Sequence, residues 1–94
     1  MFVGVLTFQV LLQDSRSLKQ KRGKIKPLLH QLHKKFNISV AEIGLNDKWS
    51  QSLIACAMVA NERSFIEKSL QEISKFIEDT FLDMQFFDMR IEIW

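Results

Sequence analysis

The hydrophobic positions of this chain follow strand spacing in four segments. Residues 2–12 are almost continuously apolar, which is typical of a strand with both faces at least half-buried. Residues 37–45 and 49–60 predict two further strands, joined by a polar turn at 46–48. Residues 84–94 predict a fourth strand, with Phe87, Met89, Ile91 and Ile93 on one side and Asp88, Arg90 and Glu92 on the other.

Two other segments have helical spacing. Their apolar stripes are Leu18, Ile25, Leu29, Leu32 and Phe36 in the first segment, and Ile66, Leu70, Ile73, Ile77 and Phe81 in the second. Ser17 with Gln20, and Ser64 with Glu67, have the spacing of capping boxes at the two helix starts. Pro27 predicts a kink, which Gly23 four residues earlier can relieve; the alternative is a helix that begins at Pro27.

The predicted order βαββαβ and the right-handed rule for crossovers indicate a ferredoxin-like α/β (α+β) sandwich. Four strands form one sheet, and both helices cover one of its faces. At 94 residues and 47% hydrophobic content, residues 1–94 form a single domain with one core.

The other face of the predicted sheet is left uncovered, and the first strand is apolar on both sides. We expect the uncovered face to carry Phe2, Leu6, Phe8 and Val10, with Val3, Val5 and Leu11 on the opposite side. An exposed apolar patch of this kind usually marks an interface. The sequence therefore predicts a homodimer formed through the uncovered sheet face, since two-fold dimers are the commonest oligomers.

Charge is distributed unevenly along the chain. The net charge is only +2, but residues 16–35 hold eight of the thirteen Lys and Arg residues, and residues 15–41 contain no Asp or Glu. A solvated helix face ordinarily mixes the two signs. Cations in the first turn of a helix are also unfavourable by about 0.3–1 kcal/mol each. This pattern predicts an anionic partner.

The candidate anion-binding or nucleic-acid-binding residues share the first helix or its entry: Arg16, Lys19, Lys21, Arg22, Lys26, His30, His33 and Lys34. An acidic protein partner and a merely solubilising helix face are the alternatives. The third strand lacks the aromatic residues of an RNA-recognition motif, which argues against base stacking on the sheet.

Other chemistry is not predicted. His30 and His33 share a helix face but lack a third ligand, so no metal site and no cofactor are expected. Cys56 is the only cysteine and lies in an apolar run, which favours an inert buried thiol in a reducing, cytoplasmic setting. Glu42 has no visible acid or base partner, and no catalytic constellation can be assembled. We therefore expect a protein that is not an enzyme and has no membrane segment.

Three sequence motifs resemble those of the YlxP-like family, small bacterial proteins of unknown function. They are Ser17-Leu18-Lys19-x-Lys21-Arg22, Phe36-Asn37-x-Ser39-Val40-Ala41-Glu42 and Asp47-x-Trp49. The resemblance implies a ferredoxin-like fold and no established activity. It also implies a ribosomal setting, since members are often encoded beside translation initiation and ribosome-binding factors.

Together these observations predict a non-catalytic intracellular protein that binds RNA or ribosomal assemblies through its basic first helix. The alternative is a homo-oligomeric regulatory domain that binds a small molecule.

Overall fold

The computed structural model describes all residues, 1–94, and has the element order predicted from the sequence. The elements are β1 (Phe2–Leu11), α1 (Leu18–Lys35), β2 (Ser39–Gly44), β3 (Gln51–Ala60), α2 (Arg63–Thr80) and β4 (Gln85–Ile93). The strands form one antiparallel sheet in the order β2-β3-β1-β4. This arrangement confirms the ferredoxin-like sandwich. Neither helix has the length and apolar content needed to cross a membrane.

The core lies between the sheet and the two helices. From β1 it takes Leu6, Phe8 and Val10, all fully buried. The buried side of α2 consists of Ile66, Leu70, Ile73 and Ile77, which confirms the predicted stripe. Helix α1 contributes Ile25, Leu28 and Leu32, while Leu18, Leu29 and Phe36 at the edges of its stripe are half-buried.

The residues predicted for the uncovered face of the sheet are therefore wrong. Leu6, Phe8 and Val10 lie under the helices, and Phe2 packs against that same core. Successive side chains of a strand point to opposite faces, so the uncovered face of β1 carries Val3, Val5, Thr7, Gln9 and Leu11. The alternation of the strand was predicted correctly, but the side that the helices cover was not.

The predicted alternation along β4 is also wrong at one end. The β1–β4 register shifts between Thr7 and Gln9, and Asp88 has a φ of 56°, in the left-handed region. Such a bulge inserts one extra residue into the strand. Phe87, which pairs with Gln9, therefore lies on the uncovered face, whereas Met89 packs against the core.

The helix starts were predicted with mixed success. Ser17 is the N-cap of α1, and its Oγ accepts a hydrogen bond from the Gln20 N–H at 3.1 Å. In α2 the N-cap is Glu62, with no side-chain cap, so the capping box at Ser64 is wrong and Ser64 lies inside the helix. Helix α1 continues through Pro27, which excludes a helix that begins there. Pro27 and Gly23 are both exposed.

Candidate nucleic-acid interface on helix α1

The entry to α1 is held by two side-chain contacts. The Ser17 cap satisfies one N–H group of the first turn, and the Gln20 Oε1 accepts from the Arg16 backbone N–H at 2.7 Å. The second half of the capping box thus reaches one residue further back than the usual pattern. These bonds place Arg16, whose side chain is exposed, at the positive end of the helix dipole.

Three exposed cations lie along the solvent side of the first half of α1. Lys19, Arg22 and Lys26 surround an open depression of about 600 Å³, together with Gly23 and Pro27. The ion pairs of the whole structure are Lys21–Glu42, Arg63–Glu67 and Arg90–Asp88, so none of the three cations has an acidic partner. Their mutual repulsion is unrelieved, which favours binding of an external anion.

The cations at the other end of α1 have an explanation within the fold. His33, Lys34 and Lys35 lie in the last turn, where positive charge stabilises the negative end of the helix dipole. The Lys35 Nζ also lies 4.6 Å from the centre of the Phe76 ring, within cation–π range. Lys19 has no such role, because it lies in the first turn. The depression is therefore the strongest part of the candidate interface.

Lys21 does not belong to this surface, which corrects its assignment as an anion-binding residue. Its side chain is 3% exposed, and its Nζ lies 2.9 Å from the Glu42 Oε2. The same ammonium donates to the backbone carbonyls of Leu45 at 2.6 Å and Asn46 at 3.4 Å. All its hydrogen-bonding capacity is thus directed into the protein, so Lys21 is not available to a ligand.

Glu42 completes this buried cluster. Its carboxylate, 20% exposed, accepts from the Ser52 Oγ at 2.6 Å and from the Asn46 Nδ2 at 3.2 Å, in addition to Lys21. No buried side-chain polar atom of the structure lacks a hydrogen-bond partner. The cluster ties α1 to the β2–β3 connection, in which Leu45 has a φ of 59°. Its role here is structural.

The sequence contained a signal for this cluster. Lys21 precedes Ile25, Leu28 and Leu32 by four, seven and eleven residues, which places it on the buried stripe of the helix. A cation in such a position requires a partner from another element. Glu42 is the first acidic residue in the sequence after α1, and it lies on the strand that follows this helix.

The remaining residues of the family motifs divide between core and surface. Val40 is buried, and Phe36 is half-buried with its ring edge-on to Phe76 at 5.7 Å between centres. The exposed members are Asn37, Ser39, Ala41, Asp47 and Trp49, the last 58% exposed.

The two histidines of the basic surface are not part of a group that could hold a metal ion. His30 and His33 are exposed, and no group of three His, Cys, Asp or Glu side chains is placed to hold a metal ion. Cys56 is buried, as predicted, and this burial raises the pKa of its thiol from 9.0 to about 12.

Comparison with known proteins agrees with the resemblance noted in the sequence. Residues 3–91 match the model of a family described as a protein of unknown function, DUF503. The chain is also 36% identical over 76 residues to the uncharacterized protein YlxP of Bacillus subtilis (strain 168), covering 81% of this chain and 83% of that protein. The chain therefore belongs to the DUF503 family.

Proposed function

We propose that this protein binds RNA, free or in ribosomal assemblies, through the exposed cations of α1, and that it does so in the cytoplasm without catalysing a reaction. The observation that carries the proposal is the set of seven Lys and Arg side chains in residues 16–35 that form no ion pair. Lys19, Arg22 and Lys26 form its centre.

A linear polyanion fits this surface better than a single small anion. At a rise of 1.5 Å per residue, Lys19 and Lys34 are separated by about 22 Å along the helix axis, with Lys26 between them. His30 and His33 lie on the same length of helix and are exposed. Several phosphates of one strand could contact this row at once, whereas a single phosphate would use only part of it. RNA is favoured over DNA by the ribosomal setting that the family resemblance implies.

Binding titrations at several salt concentrations test this proposal. Filter binding of ribosomal RNA fragments should weaken linearly in log affinity against log salt. Lys19→Gln, Arg22→Gln and Lys26→Gln should each weaken binding for every RNA sequence and flatten the slope by about 0.7–0.9. Lys68→Gln is the matched control, because Lys68 is an exposed, unpaired lysine on α2. Absence of binding at low salt, or equal effects of all four variants, would refute the proposal.

We also propose that the protein is a homodimer in which the uncovered face of the sheet contacts a second copy. This face carries large side chains with much exposed surface: Ile43 is 55% exposed, Val59 63% and Phe87 42%. Between them lie the small side chains of Ala41 and Ala55, which are paired in the β2–β3 register. Two such faces could approach closely at this alanine pair while the larger side chains around it interlock.

A charged pair on the same face gives the interface a means of setting its register. The bulge at Asp88 presents its carboxylate to the Arg90 Nε at 3.1 Å and to the Gln9 Nε2 at 3.3 Å. An acid and a base side by side are self-complementary about a two-fold axis, since each can meet the opposite charge of the other copy.

Charge reversal tests the dimer directly. Arg90→Asp and Asp88→Lys should each reduce self-association in sedimentation equilibrium, because like charges then meet across the interface. An equimolar mixture of the two variants should form a heterodimer, since opposite charges meet again in both reciprocal contacts. A wild-type protein that is monomeric at micromolar concentration, or a mixture that remains monomeric, would refute this arrangement.

A further inference from the structure

A second concave site lies at the opposite end of α1 from the basic depression. It is a cleft of about 280 Å³ between the end of α1, the connection from α1 to β2, the end of β3 and the first turns of α2. Ile38 and Met58, both half-buried, and the fully buried Ile73 form its apolar lining. This cleft shares Lys35 with the row of cations on α1 but contains none of Lys19, Arg22 and Lys26, the centre of the proposed RNA-binding surface.

One large apolar side chain at the cleft is much more exposed than the fold requires. Phe65 is 56% exposed, and it neither belongs to the core nor packs against it. Apolar surface of this kind gains free energy when it is covered. A compact apolar group seated in the cleft would contact Ile38 and Met58 on its inner side and Phe65 at its edge.

Polar side chains surround this apolar lining. Lys35, Asn37, Ser69 and Glu72 also line the cleft. Lys35 and Glu72 form no ion pair with each other or with any other residue. The ammonium of Lys35 is held over the Phe76 ring, at 4.6 Å from its centre. An apolar cleft with a few convergent polar groups is the usual form of a small-molecule site.

The charges at the cleft define the class of ligand. A cation without an acidic partner and a carboxylate without a basic partner at one small apolar cavity match a molecule that carries both an anionic and a cationic group beside an apolar body. The volume lies below the usual range of about 300–1,000 Å³ for ligand sites, which limits the ligand to the smaller metabolites. We propose that this cleft binds a small zwitterion with an apolar side group, such as a free apolar amino acid, with Lys35 facing its carboxylate and Glu72 its ammonium.

Nuclear magnetic resonance titration of the full chain with L-phenylalanine and L-leucine tests this site. Either ligand should shift the resonances of Ile38, Met58 and Phe65, and leave those of Lys19 and Arg22 unchanged. Two analogues of phenylalanine separate the roles of the charges: 3-phenylpropionate lacks the ammonium, and phenethylamine lacks the carboxylate. Each should bind more weakly than phenylalanine by about tenfold or more, the usual effect of losing one charge-assisted hydrogen bond.

Two variants assign those charges to residues. Glu72→Gln should weaken phenylalanine binding by about tenfold and remove the preference for phenylalanine over 3-phenylpropionate. Lys35→Met should do the same for the preference over phenethylamine. Lys34→Met and Glu78→Gln are the matched controls, because both residues are exposed on the same helices and lie outside the cleft.

Three outcomes would overturn the proposal. They are no shift at Ile38, Met58 and Phe65 with either amino acid, equal binding of the charge-deleted analogues, and unchanged binding by both cleft variants. Because the changed side chains are on the surface, spectra outside the cleft should match those of the wild type and show that the variants are folded.

Discussion

Replacement of Lys21 by Met tests whether the buried cluster, and not an anionic ligand, accounts for this lysine. The substitution keeps an unbranched side chain of similar length in the helix and removes the ammonium group. It therefore breaks the 2.9 Å contact with Glu42 and the hydrogen bonds to the Leu45 and Asn46 carbonyls. The thioether of Met can fill most of the space that the lysine stem leaves.

The expected loss of stability depends on the contacts that Glu42 keeps after Lys21 is replaced. Removing one partner of a buried ion pair costs about 3–5 kcal/mol when the other charge is left uncompensated. Glu42 is 20% exposed and keeps its bonds from Ser52 and Asn46, so its charge stays partly compensated. We therefore expect a loss of about 2–3 kcal/mol in the free energy of unfolding. For a domain of this size that loss lowers the melting temperature by roughly 10–20 °C.

Urea unfolding monitored by circular dichroism measures this loss. Lys19→Met is the matched control: Lys19 lies two residues away in the same helix but is exposed, so its replacement should change stability by no more than about 0.5 kcal/mol. The double variant of Lys21→Met with Glu42→Gln should lose less than the sum of the single variants, by about 1 kcal/mol or more, because the two groups interact directly.

Hydrogen exchange provides a local measurement. The Leu45 carbonyl accepts from both the Lys21 Nζ and the Lys48 backbone N–H. Leu45 also has a positive φ, which residues other than glycine rarely adopt. Without Lys21, the Lys48 amide should exchange faster than in the Lys19→Met control. If Lys21→Met and Lys19→Met have equal stability and equal exchange at Lys48, the structural role of Lys21 is wrong.

Other substitutions test the packing and the buried thiol. Pro27→Ala should raise the free energy of unfolding by about 1–3 kcal/mol in urea titrations, because it restores the backbone bond to the Gly23 carbonyl; a lower stability would show that the helix requires its proline. Gly4→Ala should lower the free energy of unfolding by about 1–3 kcal/mol, because the added Cβ would overlap the Ile66 side chain. Gly23→Ala should raise it by about 0.5–1 kcal/mol, because the space beside Gly23 is open. Equal effects of the two substitutions would contradict the packing of β1 against α2. For Cys56 the thiol pKa is 9.0 unperturbed and about 12 when folded, so between these pH values the unfolded chain loses a proton that the native protein keeps. Relative to Cys56→Ala, stability should therefore fall by about 1.4 kcal/mol per pH unit above that lower value; parallel pH profiles of the two proteins would refute the burial.

The sequence by itself determined the elements, their order and the residues that share each helix face. The stripe of Ile66, Leu70, Ile73 and Ile77 could be predicted because the period of a helix depends only on local geometry. The cap at Ser17 is equally local, since its donor lies three residues away. The unpaired cations of α1 were visible as a run without acids, and the structure leaves most of them exposed.

Tertiary structure decided which face of the sheet is covered. Alternation places Leu6 and Phe8 on one side of β1 and Val3 and Val5 on the other, but both sets are apolar, and nothing in the spacing tells which set meets the helices. Tertiary structure also decided which face of β4 carries Phe87, because the residue inserted at the Asp88 bulge moves Phe87 to the opposite face.

The pairing of Lys21 with Glu42 was likewise decided only by the fold. The two residues are 21 positions apart, and their side chains meet because α1 packs on the sheet at the strand that contains Glu42. The helical period places Lys21, and not Lys19, on the buried stripe of α1, because that period depends only on local geometry. Which acidic side chain meets the Lys21 ammonium is decided by the strand on which the helix packs.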